Sequence, residues 1–127
     1  MTDMYKPNIR VLVVDDVPQV RQDLCMVLTL ASDIEIVGEA ANGLEAIRQA
    51  EALQPEVVLL DLEMPVLNGY AAARQIKTRC PACRVIALTV HDYEAARQKA
   101  LQAGVDAFVV KGAPVATLVQ AILDRKE

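Results

Sequence analysis

Tryptophan is missing from this 127-residue sequence, and one phenylalanine and three tyrosines are its whole aromatic content. A core without large rings has to be aliphatic, built from Val, Leu, Ile and Ala. The 54% hydrophobic content supplies enough of them to exclude disorder. No apolar run approaches the roughly 20 residues of a membrane-spanning helix. The opening residues 1–7 also lack a secretory signal pattern, so the cytoplasm is the expected compartment. An excess of positive charge is absent too: 13 basic against 17 acidic residues leave −4, no electrostatic footprint for nucleic acid. The length fits one domain, 1–127 with an ordered core over about 9–125, able to bury roughly two-thirds of the unfolded surface.

Cysteine is scarce. Cys25, Cys80 and Cys83 make an odd count without a secretory signal, which argues against a disulfide framework. Cys80-Pro-Ala-Cys83 has the spacing of a redox or metal half-site. A zinc site would need two further ligands, and His91, the one histidine, is the obvious candidate for only one of them. A thioredoxin-like pair normally sits between a strand and a following helix, whereas this one precedes a strand. A loop carrying two thiols is therefore expected.

What is present is a repeated alternation. The centre of the chain is Val57-Val-Leu-Leu-Asp61, an apolar run that reads as a strand buried on both faces. It ends in a carboxylate, and Pro65 with Asn68-Gly69 turns the chain. A first buried strand over 9–15 ends in two adjacent carboxylates, Asp15 and Asp16. Pro18 suits the first turn of a helix reaching about residue 31, with Val20, Leu24, Val27 and Leu28 inward. Residues 34–40 mix charge into apolar positions, as a blunted edge strand does. Asn42-Gly43 opens a second helix with Leu44, Ile47, Ala50 and Leu53 inward, ended by Gln54-Pro55. A third helix covers 70–78, a fourth strand 84–89 and a fourth helix about 93–102, with Gly104 just past its end. The fifth strand is 106–111. Gly112-Ala-Pro114 starts a last helix with Val115, Leu118, Val119, Ile122 and Leu123 as its buried stripe.

Five strands alternating with five helices imply an α/β fold, a parallel sheet with right-handed crossovers and helices on both faces. Both doubly wound orders are open in principle. Because only the second strand reads as an edge, the order 2-1-3-4-5 is favoured, which sets the first and third strands side by side. Asp15, Asp16 and Asp61 then converge at the switch point, where such folds bind ligands. Like charges that close need a shared proton or a cation, and Mg2+ suits a few carboxylates plus phosphate. Thr89 and Lys111 end the fourth and fifth strands at the same edge. Hydroxyl, ammonium and acidic cluster together match the needs of phosphoryl transfer, with Asp61 the central candidate to accept the group as an aspartyl phosphate.

Val13-Val-Asp-Asp16, Asp61-Leu-Glu-Met-Pro65, Asn68-Gly69, Leu88-Thr89 and Lys111, in this order and spacing, resemble the receiver domains of two-component response regulators. The resemblance covers essentially the whole chain. Stretches such as 88–92 and 103–112 look most like receivers of NarL/LuxR-type regulators, which precede a helix-turn-helix domain. It implies a CheY-like (flavodoxin-like) fold and a phosphorelay role. Asp61 would take a phosphoryl group from a histidine kinase or phosphotransfer protein. Asp16, Asp61 and the Glu63 backbone carbonyl would bind Mg2+, with Asp15 helping through water. Lys111 would contact the phosphoryl group, and Thr89 with Phe108 would form a switch pair acting on the α4–β5–α5 surface toward an output domain, a partner or a homodimer mate. The domain would catalyse only its own phosphorylation and dephosphorylation, so it is not expected to be an enzyme. It would touch neither nucleic acid nor membrane.

Two positions depart from the family pattern and two more stand where it varies. Gly112 follows Lys111 where many receivers carry proline. Val90 is bulkier than the usual Ala or Gly and is expected to screen the phosphoryl group from water. Glu63 and His91 stand where receivers tune phosphoryl lifetime. Among rivals, a haloacid-dehalogenase-type phosphatase would want an acid Asp at position 63, and a flavin-binding module would want a Ser/Thr/Gly-rich loop in place of Asp15-Asp-Val-Pro18. A receiver signalling without phosphate is disfavoured by the intact Asp16, Asp61, Thr89 and Lys111 set.

Overall fold

The computed structural model describes residues 8–64 and 67–124; Pro65, expected in the turn after the central strand, lies outside them. The chain runs β1 (Ile9–Val14), α1 (Pro18–Thr29), β2 (Ile34–Ala40), α2 (Gly43–Leu53), β3 (Val57–Asp61), α3 (Gly69–Arg79), β4 (Arg84–Thr89), α4 (Glu94–Gln102), β5 (Ala107–Val110) and α5 (Val115–Leu123). All four strand pairings are parallel and the order is β2-β1-β3-β4-β5.

Strand periodicity divides the core in two. Leu12, Val14, Val58, Leu60, Val85 and Ala87 face α2, α3 and α4. Val11, Val13, Val57, Leu59, Ile86 and Leu88 face α1 and α5. The same parity carries past the strand ends. Asp15 and Asp61 continue the α1/α5 side, whereas Thr89 continues the α2–α4 side. Every residue of β3 is buried, as its apolar run requires, while β2 shows Glu35 and Glu39 to solvent at the sheet edge.

Helix ends are set by recognisable chemistry. Asn42 Oδ1 accepts the Glu45 N–H at 2.9 Å and Asn68 Oδ1 accepts that of Ala71 at 3.0 Å, capping α2 and α3. Arginines on the strands close the opposite ends. Arg10 donates to the carbonyls of Leu53 and Gln54, and Arg84 to those of Ala121, Ile122 and Asp124. Gly104 and Gly112 hold φ of +92° and +95°, a region costly to other residues.

Several expectations are corrected. Leu44 and Val115 are about half exposed and Val20 is also exposed, instead of facing inward. Both Leu44 and Val115 lie in the first turn of their helices. Cys80 and Cys83 are joined by a disulfide instead of standing as two thiols. Cys80 caps α3, and the turn in which the Cys83 N–H bonds the Cys80 carbonyl brings the Cα atoms to 5.5 Å, inside the range a disulfide needs. Cys25 is the free cysteine, its thiol pushed up to about 11 by burial and by Glu39.

Gly69 matters most for the site. A Cβ there would lie 2.6 Å from the Asp61 carbonyl oxygen and 2.4 Å from the Leu62 Cα, so α3 packs against the backbone that carries Asp61. Gly69→Ala is expected to destabilise the fold by about 2 kcal/mol, since neither backbone atom can move aside cheaply. Urea denaturation with an unchanged m-value checks this.

Candidate functional site

Asp61 ends β3 with 1% exposure, and Asp15 follows β1 with none. Each is held by its own backbone loop. Asp61 Oδ1 accepts the Glu63 N–H at 3.0 Å, and Asp15 Oδ1 accepts the Val17 N–H at 2.9 Å. The Arg21 guanidinium clamps the Asp15 carbonyl at 2.7 Å and so fixes the β1–α1 loop. Lys111, just past β5, reaches across the top of the sheet. Its Nζ lies 3.1 Å from Asp61 Oδ1 and 3.6 Å from Asp15 Oδ2. Asp15, Asp16 and Asp61 each present a carboxylate oxygen within 4.8 Å of the others. Asp15, Asp16, Asp61 and Lys111, four of the residues named from the sequence, therefore meet.

Burial raises the Asp61 pKa from 3.8 to about 6; the Glu63 N–H and Lys111 pull it down, and Asp15 adds to the rise. Lys111 suffers the same burial, yet the Asp61, Asp15 and Glu63 charges outweigh it and raise its pKa. Asp15 Oδ2 is buried and has no hydrogen-bond partner among the described residues. An unpartnered carboxylate oxygen beside two other carboxylates fits a hard divalent cation taking oxygen ligands.

Thr89 is fully buried at the end of β4. Its hydroxyl donates to Glu63 Oε2 at 2.7 Å and accepts the His91 N–H at 3.0 Å. The Val90 N–H lies 3.3 Å from Glu63 Oε1. Phe108 is half-buried on β5, with the Arg97 guanidinium 4.7 Å above its ring and Asp92 holding that guanidinium from the other side. Two of these contacts are absent from the sequence reading. The Glu63 side chain is expected from the resemblance to tune phosphoryl lifetime but not to bond Thr89, although β3 beside β4 sets residue 63 near the end of β4. Arg97 gave no signal, because its ring contact crosses from α4 to β5.

Comparison with known proteins decides the family. Residues 11–123 match the response regulator receiver domain. The chain belongs to the response regulator receiver family. Among curated relatives, the response regulator GacA of Pseudomonas viridiflava is 40% identical over 114 residues, 90% of this chain and 53% of that protein. The response regulator VraR of Staphylococcus aureus is 40% identical over 115 residues, covering 91% of this chain and 55% of its own. This receiver thus spans about half the length of the curated relatives it matches. The signal receiver domain of NarL from Mycobacterium tuberculosis superposes with a TM-score of 0.89 at 34% identity, covering 94% of this chain and 96% of that one. CheY of Borrelia burgdorferi, solved with CheX, BeF3 and Mg, gives 0.85 at 26% identity over 97% of this chain and 92% of its own. The CheY-like fold expected from the element order is therefore found, and no helix among the described residues is long and apolar enough to cross a membrane.

The raised Asp61 pKa has a sign that can be tested. Its contribution to stability is fully present below 3.8 and lost as pH rises through about 6, where the folded carboxyl ionises. At pH 7.5 in chelator, Asp61→Asn is expected to stabilise the receiver by on the order of 2 kcal/mol. The gain should shrink as pH falls toward 4, as thermal melts of both proteins across pH would show.

Proposed function

We propose that Asp61 is the phosphoacceptor of this receiver, taking a phosphoryl group from the phosphohistidine of a sensor kinase or phosphotransfer protein in a two-component phosphorelay. The contact of Asp61 Oδ1 with Lys111 Nζ at 3.1 Å inside an otherwise acidic, buried cluster carries this reading. An oxygen of Asp61 attacks phosphorus, the phosphorus–nitrogen bond to the donor imidazole breaks, and its electron pair stays on that nitrogen, which regains a proton. Lys111 offsets charge on the phosphoryl oxygens, and the Thr89 hydroxyl is the donor for one of them. Asp15, Asp16, Asp61 and the Glu63 carbonyl are the groups that would hold Mg2+, which when bound supplies the remaining charge neutralisation. The match to a CheY solved with BeF3 and Mg supports the same ligand chemistry here.

The output follows from packing. α4 buries only Ala96 and Ala100, so its displacement costs less core contact than that of any other described helix with a broader buried stripe. Tyr93 and Leu101 on this side, and Val115 on α5, are exposed. Movement of Thr89 and Phe108 would bias this α4–β5–α5 surface toward an output domain, a partner or a second copy. Glu63 stands where a haloacid-dehalogenase-type phosphatase would carry its acid, but it is committed to Thr89. A domain that turns over only its own phosphoryl group, in the cytoplasm, is the reading supported best.

Acetyl phosphate with Mg2+ should add one phosphoryl group to the intact mass of the wild type and none to Asp61→Asn; equal labelling of both would remove Asp61 from its role. Val90 is 60% exposed beside Thr89, and its bulk would screen the phosphoryl group from attacking water. Val90→Ala is expected to shorten the phosphoryl lifetime severalfold, followed by loss of the phosphorylated mass. A wild-type half-life of seconds, unchanged in the variant, would contradict that screening.

A further inference from the structure

Besides Lys111, the donors that the end of β4 offers to a phosphoryl group on Asp61 are the Thr89 hydroxyl and the Val90 N–H. Both are already taken, one by each oxygen of a single carboxylate, at 2.7 Å to Glu63 Oε2 and 3.3 Å to Glu63 Oε1. The Glu63 backbone N–H at the same time holds Asp61 Oδ1 at 3.0 Å, so the side chain is anchored two residues from the acceptor and cannot drift far from it. A carboxylate and a phosphoryl group both present anionic oxygens, and they compete for the same N–H and O–H donors.

We infer that the Glu63 carboxylate acts as a resting-state stand-in for the phosphoryl group: it holds the Thr89 hydroxyl and Val90 N–H in the unmodified receiver and must be displaced before they can bind phosphate. Glu63 is then a positioning residue for the switch. It sets how far the resting protein lies from the activated one, because the phosphoryl group gains these donors only by breaking the contacts with Glu63. The inference rests on Asp61 being the acceptor. It adds that the occupancy of the switch is contested from inside the chain. Glu63 is only partly buried, so removing its side chain leaves no core cavity.

The test uses the whole 127-residue chain, with beryllofluoride and Mg2+ as a non-covalent phosphoryl probe and amide NMR as the readout. Three variants separate contact from charge. Glu63→Ala removes both. Glu63→Asp keeps the charge but is one methylene too short to reach Thr89. Glu63→Gln keeps an acceptor for the hydroxyl and loses the charge. In metal-free protein the Val90 amide proton is expected to move upfield in Glu63→Ala and Glu63→Asp. The beryllofluoride midpoint should fall about tenfold in both, and by less in Glu63→Gln. An unmoved Val90 amide in Glu63→Ala, or a Glu63→Asp that binds like the wild type, would overturn the inference and leave charge alone as the effect. Absence of any beryllofluoride response in the wild type would instead remove the Asp61 reading, and the competition with it.

Discussion

The Lys111 ammonium, 3.1 Å from Asp61 and 3.6 Å from Asp15, is the interaction on which the top of the sheet depends. Two carboxylates with essentially no exposure would otherwise repel each other in a medium that screens poorly. One cation does not balance two buried anions and their neighbour Asp16. Burial, with a smaller push from Asp15, raises the Asp61 pKa, and Asp15 Oδ2 is left without a hydrogen bond. The site thus keeps a demand for positive charge that a divalent cation could satisfy. On the proposed role of Asp61, the same demand would help it carry a phosphoryl group.

Strand parity links this electrostatic centre to the opposite side of the sheet. Asp15 and Asp61 lie on the α1/α5 side, and Thr89 on the side of α2, α3 and α4. A group bound at Asp61 therefore draws on a donor that belongs to the other packing layer. Glu63 bridges the two, its N–H on Asp61 and its carboxylate on Thr89. Beyond Thr89 comes Phe108, covered by Arg97 of α4, the helix with only two buried alanines. Asp61, Glu63 and Thr89 are thus joined by hydrogen bonds on the side of the sheet that carries Phe108 and Arg97 of α4.

Much of this was legible in the sequence because every strand but β2 is a largely apolar run with a polar residue at or just past its carboxyl end. A run that stops at Asp61, Thr89 or Lys111 fixes both the strand and the position of the side chain at its carboxyl end, and the single charged strand fixes the edge. Helix faces were less legible. Leu44 and Val115 were expected on the inward faces of their helices yet are exposed, because an apolar residue near the period does not fix which neighbour covers it. The Cys80–Cys83 bond was missed because a count of cysteines carries no turn geometry. The roles of the Glu63 carboxylate and of Arg97 depend on contacts between elements far apart in sequence, which residue types alone do not specify.

The most direct test of the central claim is chemical mapping of the acceptor. The receiver would be phosphorylated with Mg2+ present, its acyl phosphate reduced with borohydride, and the peptides sequenced by tandem mass spectrometry. Conversion of Asp61 to homoserine, with Asp15 and Asp16 unchanged, is the predicted result. Conversion at Asp15 or Asp16 while Asp61 survives would contradict the account.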